Sequence, residues 1–133
     1  MLKEINYINS DIQSYPSLAL AYLGDSAIEI LARERLVLAN IPPDRLHAEA
    51  LLFVCATEQS KAVENILPML SEEETDMYKR GRNTKARVPK SASVADYRRA
   101  TGFECLFGYL YLCGKHERMR ELFDIAYRNI SKL

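Results

Sequence analysis

The chain has little that interrupts a helix. Its 133 residues include five glycines and five prolines, and no stretch sustains a period-two alternation of apolar and polar residues. Sheet architectures therefore lack their primary signal. No apolar run is long enough to span a bilayer, and Met1-Leu2-Lys3-Glu4-Ile5 does not open a signal peptide, so neither a membrane segment nor an export signal is expected. Three cysteines, Cys55, Cys105 and Cys113, are odd in number and show no paired metal-ligand spacing. They read as reduced thiols in a cytoplasmic protein. Net charge is missing too, because 18 Lys and Arg balance 18 Asp and Glu.

That balance hides a polarised chain. Between Lys79 and Arg99 stand eight basic residues and one acid, Asp96, a local excess of +7 that leaves −7 for the rest. A neutral protein with one concentrated basic segment can still grip phosphates. Lys79, Arg80, Arg82, Asn83, Lys85, Arg87 and Lys90 are the candidates for that contact, against the plainer reading of a solvated basic loop.

Apolar residues recur three and four apart almost throughout, which predicts an all-α protein. At this length it is a single domain, 1–133, with residues 1–13 a loose lead-in. A first helix should begin near Pro16, carry Leu20, Leu23, Ala27, Leu31 and Leu38, and end before Ile41-Pro42-Pro43. Asp44 is an N-cap candidate for a short helix through Leu52, and Thr57 opens another that ends near Pro68. Ser71-Glu72-Glu73-Glu74 has the pattern of a capping box, for a helix expected to stop at Gly81. After a basic loop from Arg82 to Ala92, Ser93 caps a long apolar helix over 94–112. Gly114 ends it, and a last helix spans 117–130.

Two acids lie inside the apolar helices, Asp25 within Leu18-Ala19-Leu20-Ala21-Tyr22-Leu23-Gly24-Asp25-Ser26 and Glu104 within Gly102-Phe103-Glu104-Cys105-Leu106-Phe107-Gly108. Either one alone reads as a surface acid or an ion-pair partner. Their glycine neighbours change that, since each glycine in a helix interior costs about 1 kcal/mol relative to alanine. Close backbone approach is a better reason for them than propensity. Helices crossing at these glycines would turn both carboxylates toward one divalent cation. With the basic segment, this reads as metal-dependent cleavage of a polyanion.

These residues also carry a family resemblance. Tyr22-Leu23-Gly24-Asp25-Ser26-Ala27-Ile28-Glu29 resembles the signature helix of ribonuclease III endonuclease domains, and Phe103 to Leu112 is similar to the family's second acidic helix. The short Mini-ribonuclease III branch is closer still, sharing Leu18-Ala19-Leu20-Ala21-Tyr22, Lys79-Arg80-Gly81-Arg82-Asn83 and Tyr97-Arg98. Full-length members carry a further acid before each of these two, at the positions held here by Ala21 and Thr101. The Mini branch resembles this chain in both losses.

The resemblance implies the ribonuclease III helical fold as a two-fold homodimer. Asp25 and Glu104 would be the catalytic and metal-holding acids, with Glu29 and Thr101 as weaker supporting candidates. The cofactor would be Mg²⁺, with Mn²⁺ as a substitute. The substrate would be double-stranded RNA, with maturation of precursor ribosomal RNA as the task and room for an accessory ribosomal protein. Products would have 5′-phosphate and 3′-hydroxyl ends. The rival reading is a non-catalytic, ribosome-associated RNA-binding protein on the same fold, its site eroded at Ala21 and Thr101.

Overall fold

The computed structural model describes residues 11–85 and 87–130, and among them there is no strand. Six helices follow in order: α1 (Ser17–Leu38), α2 (Leu46–Val54), α3 (Ala56–Ile66), α4 (Glu72–Arg82), α5 (Val94–Leu112) and α6 (His116–Ala126). The all-α expectation holds. Helix α5 is the centre of the molecule. All its residues from Ala100 to Leu110 except Glu104 are buried, and α1, α3, α4 and α6 pack around it.

Local chemistry explains most of the boundaries. Pro16, fixed in an extended conformation, is the cap of α1. The other end of α1 is closed by Asn40 in the left-handed region at φ 56°, followed by the two prolines. In α4 the capping box forms in full: Ser71 Oγ accepts from the Glu74 N–H at 3.1 Å, and Glu74 Oε1 accepts from the Ser71 N–H at 2.9 Å. Ser93 Oγ accepts from the Asp96 N–H at 3.1 Å and starts α5 at Val94, as predicted.

Several expectations need correction. Asp44 caps nothing; Pro43 starts a 3-10 turn over Pro43–Arg45, and α2 follows from Leu46. Thr57 lies inside α3, whose cap is the extended Cys55. The apolar stripe of α1 closes on the buried Leu36, while Leu38 is exposed where the chain turns away at Asn40. The last helix ends at Ala126, because Tyr127 leaves the helical conformation and donates its hydroxyl to the Phe53 carbonyl at 2.6 Å. Gly81 does not stop α4; it is buried within the helix, where a side chain would meet the main chain of Gly102.

The lead-in is also less loose than expected. Residues 1–10 lie outside the described residues, but Ile12–Ser14 form a 3-10 turn. Arg80 holds that turn by donating to the carbonyls of Gln13 at 2.8 Å and Tyr15 at 2.9 Å. Gln13 in turn donates to Glu73 at 3.2 Å.

Candidate active site

Helices α1 and α5 share the most extensive contact in the molecule, and two glycines make it close. A Cβ on Gly24 would lie 2.6 Å from the Glu104 carbonyl carbon and 2.8 Å from the Gly108 nitrogen. A Cβ on Gly108 would lie 2.8 Å from the Leu20 carbonyl carbon. Real side chains do not tolerate such distances to main chain. The expectation of a helix crossing at the glycines is met for Gly24 and Gly108, whereas Gly102 packs instead against Tyr78 of α4.

The crossing brings Asp25 and Glu104 together. Asp25 is exposed, whereas Glu104 is largely buried beneath it. Burial pushes the Glu104 carboxyl up to about 8, and the neighbouring Asp25 charge, within hydrogen-bonding reach, adds to the shift. At neutral pH Glu104 therefore favours its protonated form, as expected of a buried carboxyl beside a second carboxyl group. A divalent cation is the other way to reconcile them. Two carboxylates are the oxygen donors a hard cation takes when waters complete its shell; among the described residues no third His, Cys, Asp or Glu joins them.

The supporting candidates point elsewhere. Ala21 and Thr101 are both buried, and Thr101 donates its hydroxyl to the Tyr97 carbonyl at 2.9 Å. Glu29 accepts from Arg33 at 3.1 Å, on the rim of an apolar groove of about 440 Å³ between α1 and α2. Neither Thr101 nor Glu29 is held toward the acid pair by these bonds.

The basic candidates divide into two groups. Arg80 is spent on the lead-in turn, and Arg82 lies over the Tyr78 ring at 5.7 Å and donates to Asn83 Oδ1 at 3.2 Å. Lys79, Lys85, Arg87 and Lys90 are exposed, and no described residue pairs with them. The loop that begins at Asn83 thus offers unneutralised cations on its way into α5.

Sequence reasoning gave no role to Tyr97. It shares the Glu104 face of α5, seven residues earlier and partly exposed, and its phenol has no partner among the described residues. The seven-residue spacing was the available signal.

Comparison with known proteins converges on one family. A family model described as the ribonuclease III domain matches residues 18–115. A Mini-ribonuclease 3 of Symbiobacterium thermophilum is 46% identical over 113 residues, 84% of this chain and 87% of the relative. That of Enterococcus faecalis is 43% identical over 126 residues, 92% of this chain and 96% of the relative. The crystal structure of a Fusobacterium nucleatum protein is similar at 30% identity with a TM-score of 0.80, covering 91% of this chain and 98% of that one. The crossing of α1 and α5, its paired acids and these likenesses agree: the chain belongs to the ribonuclease III family, in the Mini-ribonuclease III branch, and is an endoribonuclease.

Proposed function

We propose that the chain cleaves double-stranded regions of structured precursor RNA with Mg²⁺ held by Asp25 and Glu104. The observation that carries the reading is the juxtaposition of the two carboxyl groups across the glycine-mediated crossing. Alone, this acidic pair repels a phosphate backbone; a cation between them reverses that. When bound, Mg²⁺ supplies Lewis acidity at the scissile phosphate and neutralises charge developing on the leaving oxygen.

The chain's own residues do the rest. Asp25, exposed at the surface, and Glu104, once deprotonated, would hold the ion, while Lys85, Arg87 and Lys90 would grip the RNA backbone without reading sequence. Water adds to phosphorus as the bond to O3′ breaks, leaving a 5′ phosphate and a 3′ hydroxyl. Mn²⁺ would serve in place of Mg²⁺.

Cutting both strands takes two such sites, and a two-fold homodimer supplies them. Tyr22 on α1 is 85% exposed, and Leu18 one turn earlier is 46% exposed. Apolar side chains this open beside the acids favour a partner copy there. Ribosomal RNA precursors, presented with an accessory ribosomal protein, are the substrates we infer, in the cytoplasm. Among the described residues no helix is long and apolar enough to cross a membrane.

The decisive experiment incubates a long RNA duplex with wild type, Asp25→Asn or Glu104→Gln, in Mg²⁺ or EDTA. Cleavage by wild type alone, and only with metal, is expected. A variant that cuts at the wild-type rate would remove its residue from the site.

A further inference from the structure

Tyr97 lies two turns before Glu104 on α5, about 10 Å along the axis and rotated by only about 20°. Its position is pinned locally, because the hydroxyl of Thr101, one turn on, is bonded to its carbonyl. Between Tyr97 and the basic loop there is only the first turn of α5, begun by the Ser93 cap. Along α5, Tyr97 therefore stands between the end of the loop carrying Lys85, Arg87 and Lys90 and Glu104, on the Glu104 face.

Its side chain behaves unlike a core tyrosine. A buried tyrosine hydroxyl finds a partner, as Tyr127 does at the Phe53 carbonyl. Tyr97 is partly exposed, and its hydroxyl is bonded to no described residue. A strand held by the loop cations, with its scissile phosphate at the acids, would run along the Glu104 face of α5, where this free donor sits. A-form RNA is recognised largely through phosphate and 2′-hydroxyl contacts, and a phenol can donate to either.

Resting on the reading of the site as a duplex-RNA nuclease, we propose that Tyr97 is a positioning residue. Its phenol donates to the RNA backbone within a few nucleotides of the scissile bond and so sets which phosphodiester reaches the acids. The atom accepted is a phosphate oxygen or a 2′-hydroxyl, and chemical substitution of the RNA separates the two.

Tyr97→Phe removes only the hydroxyl and leaves the ring that packs. With full-length protein, Mg²⁺ and a defined duplex, KM should rise about fivefold, the effect of one hydrogen bond. Cleavage should also spread to neighbouring phosphodiesters, a change that loss of stability alone does not produce. Single 2′-deoxy or methylphosphonate substitutions are then scanned across the cleavage position. At one position, one modification should cost wild type the same factor and cost Tyr97→Phe nothing further; its kind identifies the sugar or the phosphate. Wild-type KM and cut pattern in Tyr97→Phe, or additive penalties at every position, overturn the inference. Failure of wild type to cut the unmodified duplex at all would instead overturn the nuclease reading, and this inference with it.

Discussion

Gly24 of α1 rests directly on the main chain of Glu104 in α5, with no room between them for a methyl group. The distance between the two acidic helices, and so the spacing of Asp25 and Glu104, is set by the absence of a side chain. Gly24→Ala puts a Cβ against backbone, which cannot rotate away. A loss of at least about 3 kcal/mol is expected, at the upper end of overpacking costs, together with loss of cleavage. Denaturant unfolding and the duplex assay check both parts.

The raised Glu104 carboxyl links stability to pH. Its folded value, about 8, lies above the ordinary 4.5, so between these values the folded state holds a proton that the unfolded chain has lost. The contribution is fully present below about pH 4.5 and declines as pH rises, until it is gone above about pH 8. Thermal melts without metal should therefore show less stability at pH 8 than at pH 5 from this group. Glu104→Gln, neutral throughout, should flatten that dependence and melt higher than wild type at pH 8. Identical pH profiles for the two proteins would contradict the assignment.

On the proposed reading, the same proton would compete with the cation. At fixed, subsaturating Mg²⁺, cleavage should rise as pH increases toward about 8, because binding requires deprotonated Glu104. Raising Mg²⁺ should shift the rise to lower pH. An Mg²⁺ titration of single-turnover rates at several pH values measures this directly.

Arg80 and the loop cations should separate cleanly. Neutralising Lys85, Arg87 and Lys90 together should leave thermal stability unchanged. It should also reduce the slope of log affinity against log salt by about 2 to 3, one unit per lost phosphate contact. Arg80→Ala should do the opposite, freeing the Ile12–Ser14 turn at a cost of about 1 to 2 kcal/mol while leaving the salt slope intact. Binding isotherms at several salt concentrations, beside unfolding curves, distinguish the two classes.

Glu74 serves both its capping box and Arg118 of α6, whose Nη2 lies 2.8 Å from Glu74 Oε1 and also donates to the Met69 carbonyl at 2.9 Å. The Arg118 bond holds the Glu74 carboxyl below its usual range against the opposing effect of burial. Removing one partner leaves a buried charge uncompensated, so Arg118→Ala should cost about 3 kcal/mol. Because the Glu74 value is lowered, the pair contributes above the ordinary carboxylate range and loses that contribution as pH falls through the folded value. The deficit of Arg118→Ala should accordingly shrink in acid, as unfolding curves at neutral and acid pH would show.

What could be read in advance follows the range of the interactions involved. Ser71 with Glu74, and Ser93 with Asp96, form bonds within four residues, so their caps were visible as patterns. Asp44 and Thr57 carry the same cap chemistry, yet the neighbouring Pro43 and Cys55 set the actual boundaries. Gly81 looked like a stop because its packing partner, Gly102, lies twenty-one residues away in the chain. The structural bonds of Arg80 were hidden for a similar reason: the carbonyls it serves, at Gln13 and Tyr15, belong to a segment far away in sequence.

The sequence by itself determined the all-helical class, the long apolar helix over 94–112, the two acids and the basic loop, because periodicity, short-range caps and charge clustering are local properties. The glycines beside the acids already pointed to a close helix crossing; only the tertiary structure decided that Gly24 and Gly108, not Gly102, form it, that Glu104 is buried under Asp25 and favours its protonated form at neutral pH, and which cations stay free. Those outcomes depend on desolvation and contact between segments some eighty residues apart, and no local pattern carries that information.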